Sequence, residues 1–97
     1  MNIYDYTIPQ TGETFTALLE HKKVKINRII SSDHLDEKIY EQEEDEWLVL
    51  LEGQATLILD NEEKKLLKGD TLFIPSKRPH RILDTKKGTL WLTVHIF

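Results

Sequence analysis

Apolar side chains recur at every second position in short runs, and this spacing restricts the chain to a β-sheet fold. In "ATLIL" the side chains of Ala55, Leu57 and Leu59 lie on one face of an extended chain, and "KVKINRII" alternates in much the same way. Turn-forming pairs separate the runs at short intervals, at Gly53-Gln54, Asp60-Asn61, Gly69-Asp70, Pro75-Ser76 and Lys87-Gly88. Seven or eight short strands with such turns predict an all-β protein, an antiparallel sandwich or a small antiparallel β-barrel.

The length of 97 residues predicts a single domain, 1–97. We expect an amino-terminal segment over 1–22, in which only "GETFTALLEH" offers a helical turn, followed by a barrel over 24–97. The runs "WLVLL" and "TLFI" are apolar without alternation, which indicates that both of their faces are covered. Because a core of this size is small, two copies that pair through an apolar sheet face would bury more surface, and a homodimer is expected.

Composition excludes several classes of function. The chain has no cysteine, which excludes disulfides, thiolate metal sites and cysteine nucleophiles. No apolar run approaches the roughly 18 residues that a membrane-spanning helix needs, and the first residues lack the pattern of a secretion signal. We therefore expect a cytoplasmic protein without a membrane partner. Basic residues concentrate over 62–88, but they lack the interleaved exposed aromatic rings of a nucleic-acid surface, so no nucleic-acid partner is expected.

Two spaced motifs occur in the second half of the chain. In "YEQEEDEWLVLLEG", Glu46 is followed after six residues by Gly53. In "GDTLFIPSKRPHRILD", Gly69 is followed after five residues by Pro75, and His80 lies five positions beyond Pro75. This spacing resembles the two short motifs of the cupin superfamily, in which a His-x-His pair precedes the glutamate and Pro-x-Gly precedes the final histidine.

The chain departs from the cupin pattern at four positions. Tyr40 and Gln42 occupy the places of the histidine pair, Lys77 replaces a glycine, and Asp84 replaces an asparagine. The Tyr-x-Gln variant resembles a branch of small bacterial single-domain cupins, and the resemblance covers about residues 24–97. It implies a jelly-roll barrel, also described as a double-stranded β-helix.

The resemblance also implies a site inside the barrel. Alternate positions of an extended chain face one way, so Tyr40, Gln42 and Glu46 can share a side, and His80 on a neighbouring strand can reach the same cavity. In cupins this is a metal site, which implies that Gln42, Glu46 and His80 hold one divalent ion such as Zn, Mn, Fe or Ni. The set is poor, because only Glu46 carries negative charge and the phenol of Tyr40 is protonated near neutral pH, so the absence of any metal stays an open alternative.

Each candidate residue has an ordinary interpretation beside the functional one. Glu46 and His80 are the candidate catalytic residues, as an acid and base pair, but they are also consistent with a solvated carboxylate and a loop histidine. Tyr40, Gln42 and His95 are candidate ligand-binding residues, or else they make interior hydrogen bonds. His95 shares a strand side with Trp91 and Thr93, but alternation does not show whether that side faces the cavity.

Three functions follow as hypotheses, all with a small-molecule ligand. The first is a cupin that binds a small polar molecule in the barrel, with a divalent metal and metal-dependent chemistry if the ion is present. The second is a non-catalytic, metal-free binding module. The third is a metal-free acid and base enzyme, such as an isomerase, that uses Glu46 and His80. The sequence names no substrate and does not decide between an enzyme and a binding protein.

Overall fold

The structure, a computed structural model, describes residues 1–36 and 38–97 and contains eight strands. These are β1 (Glu13–His21), β2 (Val24–Ser31), β3 (Asp45–Glu52), β4 (Gln54–Leu59), β5 (Glu62–Leu67), β6 (Thr71–Ile74), β7 (His80–Thr85) and β8 (Thr89–Ile96). They form a five-stranded sheet in the order β1-β2-β8-β3-β6 and a three-stranded sheet in the order β5-β4-β7, with every pairing antiparallel. The predicted all-β, jelly-roll architecture is confirmed. In the described part of the chain, no helix is long and apolar enough to cross a membrane.

The inner faces of the two sheets form the hydrophobic core. Leu50 is fully buried on β3, and Leu57 is 2 % exposed on β4. Ala55 and Leu59 are buried beside Leu57, so the predicted inward face of β4 is confirmed. Leu48, Leu66, Ile74 and Trp91 complete the cluster of buried residues. The core therefore lies between the sheets, and any cavity in it is bounded by side chains from both.

Residues 13–21 form β1, so the segment that could have supplied a helical turn is a strand instead. The strand pairs with β2 along its length, from Glu13 opposite Ser31 to His21 opposite Val24. Its helix-favouring residues at 17–20 are accommodated by a register shift between Ala17 and Leu19, where one residue bulges out of the ladder. Tertiary pairing overrides the weak helical propensity here, and the strand becomes an edge of the larger sheet.

The outer face of the larger sheet is only partly covered. Residues 1–9 lie against one part of it, where an Arg28 guanidinium N–H donates to the Asp5 carbonyl at 3.0 Å. Beyond this segment Trp47 is 38 % exposed and Phe73 is 50 % exposed. In a single chain the outer face of "WLVLL" and "TLFI" is therefore not fully covered, and its cover by a partner chain stays a prediction. The side chains of Trp47 and Glu46 were predicted to lie on opposite faces of the strand. This prediction is confirmed, because Glu46 is buried while Trp47 is exposed.

The two glycines of the cupin-like motifs occupy turns with positive φ. Gly53 (φ 91°) joins β3 to β4, and Gly69 (φ 89°) precedes β6. A Cβ on Gly53 would lie 2.8 Å from the Thr89 Cα, whereas a Cβ on Gly69 would meet nothing within 4 Å. Lys77, at the family's glycine position, also has positive φ (62°), so this chain keeps the turn without the glycine.

Gly53→Ala should destabilise the fold by at least roughly 2 kcal/mol, because left-handed backbone strain adds to a clash with the Thr89 backbone. Gly69→Ala is the matched control, since it has a similar φ and open space, and it should cost only about 1 kcal/mol. Urea unfolding of both variants measures the difference. If both variants lose the same free energy of unfolding, contact with Thr89 does not constrain the turn.

Candidate functional site

A cavity of about 130 Å³ lies between the two sheets. The structure brings all five sequence-predicted site residues to its wall: Tyr40, Gln42, Glu46, His80 and His95. The rest of the wall is mainly apolar, from Phe15, Ile29, Leu48, Leu57, Ile74, Ile82 and Trp91, with Glu13, Asn27 and Thr93 as further polar residues. The predicted residues therefore converge inside the barrel, while their chemical roles stay predictions.

Backbone hydrogen bonds hold the segment before β3 across the cavity. Tyr40 and His80 exchange two of them, with N–H donors 2.8 and 2.9 Å from the opposite carbonyl oxygens. The Lys77 backbone N–H donates to the Gln42 carbonyl at 2.7 Å, so the left-handed turn fixes this segment too. The segment then enters β3, where Glu46 lies inside by strand alternation. Side chains far apart in sequence are thus fixed in one wall.

Glu46 is a buried carboxylate with two polar neighbours. It is 7 % exposed, so the alternative of a solvated rim carboxylate is excluded. The Gln42 amide N–H donates to its Oε1 at 2.9 Å, and the His95 Nδ1 lies 3.8 Å from the same oxygen. These groups compensate part of the cost of burying the charge.

The His80 imidazole has one ring nitrogen engaged by the backbone. Its Nδ1 lies 3.1 Å from the Arg78 carbonyl oxygen. A carbonyl oxygen only accepts, so Nδ1 carries the hydrogen and Nε2 is left to accept a proton or a hydrogen bond. The ring is 9 % exposed and stacks on Tyr40, with centroids 5.6 Å apart and planes 19° apart. The alternative of a free loop histidine is therefore excluded.

His95 faces the cavity, which settles the side that alternation left open. Its Nδ1 lies 3.0 Å from the Glu44 carboxylate, and its Nε2 lies 3.1 Å from the Thr93 hydroxyl. Since both ring nitrogens have protein partners, the geometry suits a residue that holds Glu44 and Glu46 in place. Glu44 was not a predicted site residue, although strand alternation could have indicated it, since it lies between Gln42 and Glu46 on the same side of the extended segment.

Glu13 is a second cavity carboxyl that the sequence did not predict. It accepts a hydrogen bond from the Ser31 hydroxyl, which in turn accepts one from the Trp91 indole at 2.9 Å. Burial raises the pKa of Glu13 above its ordinary value of 4.5, and the Ser31 hydrogen bond offsets only part of this. Burial, followed by the charges of Glu13 and Asp36, raises the pKa of Tyr40 above 10.0, so the phenol stays protonated near neutral pH.

The side chains as arranged do not fit a divalent metal. Within residues 1–36 and 38–97, no group of three His, Asp or Glu side chains is arranged so that it could hold an ion. The predicted set of Gln42, Glu46 and His80 includes two such residues, and Gln42 directs its N–H rather than its oxygen at the Glu46 carboxylate. Tyr40 supplies no anion, since its pKa is raised. The metal set stays a prediction of the family resemblance.

Glu13→Gln should change how stability depends on pH. The folded state of the wild type holds the Glu13 proton more tightly than the unfolded state, because burial raises the pKa. This contribution is fully present below about pH 4.5 and is lost as pH rises through the raised pKa. Glutamine does not titrate, so the variant does not lose this stability as pH rises. The free energy of unfolding of the variant minus that of wild type should therefore increase from about pH 4 to about pH 7 in urea titrations.

Glu63→Gln on β5 is the control, because Glu63 is exposed and the substitution removes the same charge. Its stability difference from wild type should stay nearly constant over the same pH range. A Glu13→Gln difference that is equally flat would contradict a half-buried carboxyl with a raised pKa at position 13.

Comparison with known proteins places this site in a family context. A solved structure from Ralstonia eutropha, described as a candidate mannose-6-phosphate isomerase, shares 30 % sequence identity and a TM-score of 0.89, covering 99 % of this chain and 95 % of that one. A cupin superfamily protein from Desulfitobacterium hafniense shares 20 % identity and a TM-score of 0.80, covering 95 % and 84 %. A likeness at that identity shows the fold alone.

Sequence comparison adds one curated relative and one family. An uncharacterized protein of Methanocaldococcus jannaschii is 43 % identical over 53 residues, which are 55 % of this chain and 41 % of that protein. The match thus spans less than half the length of the curated relative. The cupin domain family matches residues 34–95, a stretch that includes Tyr40, Glu46 and His80. This chain belongs to the cupin domain family.

Proposed function

We propose that this cupin binds one small polar molecule inside the barrel, with Glu46 and His80 contacting its polar group. One observation carries the proposal: a carboxylate and an imidazole that are far apart in sequence reach a single cavity with mainly apolar walls. Such a cavity, with a few convergent polar groups, is the usual form of a small-molecule site. The proposal also covers Tyr40, Gln42 and His95 as residues that shape the polar side of the site.

Charge and size restrict the ligand. Two carboxylates, Glu13 and Glu46, contribute to the cavity wall, and no Lys or Arg from the described residues does. An anion would therefore meet like charge without a compensating cation, whereas a neutral or cationic molecule would not. A cavity of about 130 Å³ accommodates on the order of six to eight non-hydrogen atoms, about the size of benzene and small derivatives.

Fragment binding tests the proposal. A set of neutral, cationic and anionic molecules of that size is titrated into ¹⁵N-labelled full chain, and amide shifts are followed at Tyr40, Gln42, Glu46 and His80. We expect neutral and cationic fragments to shift these amides. Glu46→Gln and His80→Ala should weaken the best fragment about tenfold or more, because each removes a hydrogen bond to a charged or oriented group.

The exposed Glu63→Gln variant should bind like wild type, since it changes the charge without touching the cavity. Protein treated with a chelator should also bind unchanged if the site works without a metal; loss of binding that is restored by one divalent ion would support the metal-dependent hypothesis instead. If no fragment of any charge shifts the cavity amides, the binding function is wrong.

Acid and base catalysis is the second candidate, and the His80 tautomer favours it. The Arg78 carbonyl fixes the hydrogen on Nδ1, so Nε2 is a base in a cavity that also holds the Glu46 carboxylate. The Ralstonia protein is described as a candidate mannose-6-phosphate isomerase. A phosphorylated sugar, however, suits neither the charge nor the volume of this cavity. Exchange of carbon-bound hydrogen for deuterium in a bound carbonyl fragment, slowed in His80→Ala, would separate catalysis from binding.

We also propose that two copies pair through the uncovered outer face of the larger sheet. In register across β2, β8, β3 and β6, the side chains of Ile26, Val94, Trp47 and Phe73 form one apolar row. Trp47 and Phe73 are the exposed members of the row. A second copy related by a two-fold axis presents the same row and is the partner of matching chemistry.

Trp47→Glu should convert the dimer to a monomer, because it places a charge in the centre of the shared apolar row. Light scattering after gel filtration should give twice the chain mass of 11.4 kDa for wild type and the single mass for the variant. Leu67→Glu is the control: Leu67 is 50 % exposed on β5 of the other sheet, so it should leave the dimer intact. A monomeric wild type would contradict the proposal.

A further inference from the structure

Glu13 lies where the barrel cavity meets the outer surface. The residues Glu13, Phe15, Tyr40 and Ile82 belong to the cavity wall and also to the wall of an adjoining surface depression. We call these four residues the mouth. Phe15 is 57 % exposed, as expected for a ring at an opening rather than in the core. A ligand in the cavity therefore passes, or extends toward, the Glu13 carboxyl.

The hydrogen bonds around Glu13 leave one carboxyl oxygen free. The Ser31 oxygen accepts from the Trp91 N–H, so its own proton is directed to Glu13 Oε2. Ser31 is fully buried and Trp91 is 3 % exposed, which fixes the orientation of this chain of hydrogen bonds. From the residues that the structure describes, Oε1 receives no hydrogen bond. One oxygen is thus held in place while the other can serve a ligand.

The surroundings of Glu13 favour a positively charged partner. Phe15 and Trp91 place two aromatic rings in the cavity wall, and the described part of that wall contains no Lys or Arg. The Tyr40 ring already stacks on His80, and the Lys38 Nζ in the adjoining depression lies 5.0 Å from the centre of the Tyr40 ring, so Phe15 and Trp91 are the rings available to a ligand cation. Aromatic faces and a carboxylate together attract an ammonium group, through cation–π contact and charge-assisted hydrogen bonds. A bound ammonium would also relieve the cost of the half-buried carboxylate, for which the Ser31 hydrogen bond compensates only in part.

We propose that Glu13 is a specificity-determining residue of this site and that the ligand is a small primary amine whose ammonium group binds Glu13 at the mouth. The inference rests on the proposed binding function and names the ligand class of the same cavity. The carbon skeleton of the amine lies along the apolar wall of Leu57, Ile74 and Ile82. Glu46 and His80 are then left for a second polar group of the ligand.

Matched probes test the role of Glu13. Butylammonium and butan-1-ol have the same number of non-hydrogen atoms and differ in charge, and butyrate is the anionic counterpart. In amide-shift titrations near neutral pH, wild type should bind butylammonium about tenfold more tightly than butan-1-ol, the advantage expected of a charge-assisted hydrogen bond. Butyrate should not bind.

Glu13→Gln keeps the size of the side chain and an oxygen that accepts from Ser31, but it removes the charge. In this variant butylammonium and butan-1-ol should bind within about twofold of each other. Glu63→Gln, with the same loss of charge at an exposed position of β5, should keep the wild-type preference.

The outcomes separate this inference from the binding function. Equal affinity of the two probes for wild type, or a preference that persists in Glu13→Gln, overturns the role of Glu13 while binding in the cavity stands. No cavity shift with any probe overturns both. If Glu13→Gln does not fold, nuclear Overhauser contacts in wild type decide: the methylene beside the nitrogen should contact the rings of Phe15 and Trp91, and contacts elsewhere overturn the inference.

Discussion

The backbone bridge between Tyr40 and His80 is the interaction on which the site depends. Its two hydrogen bonds attach the segment before β3 to the edge of the three-stranded sheet, although the two residues are 40 positions apart in the sequence. The bridge brings the stacked rings together and directs the chain toward Gln42 and then Glu46. Together with the bond from the Lys77 N–H to the Gln42 carbonyl, the bridge fixes the polar wall of the cavity relative to the apolar wall.

The cavity contains two carboxyl groups in different environments. Glu46 has an amide donor from Gln42 and an imidazole nearby, and the protein itself therefore supplies much of its compensation. Glu13 has one hydroxyl partner and a raised pKa. Because their environments differ, the two acids can have different roles: Glu46 organises the neighbouring side chains, and Glu13 remains available to bind a ligand.

The fold and most of the polar residues of the site followed from sequence, the fold from strand alternation and the site from the resemblance to the cupin motifs. The alternation of β3 placed Glu46 and Trp47 on opposite faces, and the resemblance of the motif around His80 to the cupin motif placed His80 in the same cavity as Glu46. Glu13 was missed because its segment combines helix-favouring residues with a bulge, so its strand character depends on pairing with β2. The side of His95 was left open for a related reason: alternation defines two faces of a strand, but only the assembled sheets define which one is inside.

The way in which residues 1–9 attach to the outer sheet face determines which of these positions can change among homologues. Arg28 donates to the carbonyl oxygens of Ile3 and Asp5, and Tyr6 donates to the carbonyl of Gly88. Every residue has a main-chain carbonyl, so substitutions at positions 3 and 5 should leave these hydrogen bonds intact. Residues 1–9 would then stay attached to the sheet even where homologues differ at these two positions. Arg28 and Tyr6, which supply the donors, should instead be conserved. Their replacement would detach residues 1–9 and expose more of the apolar surface beneath them.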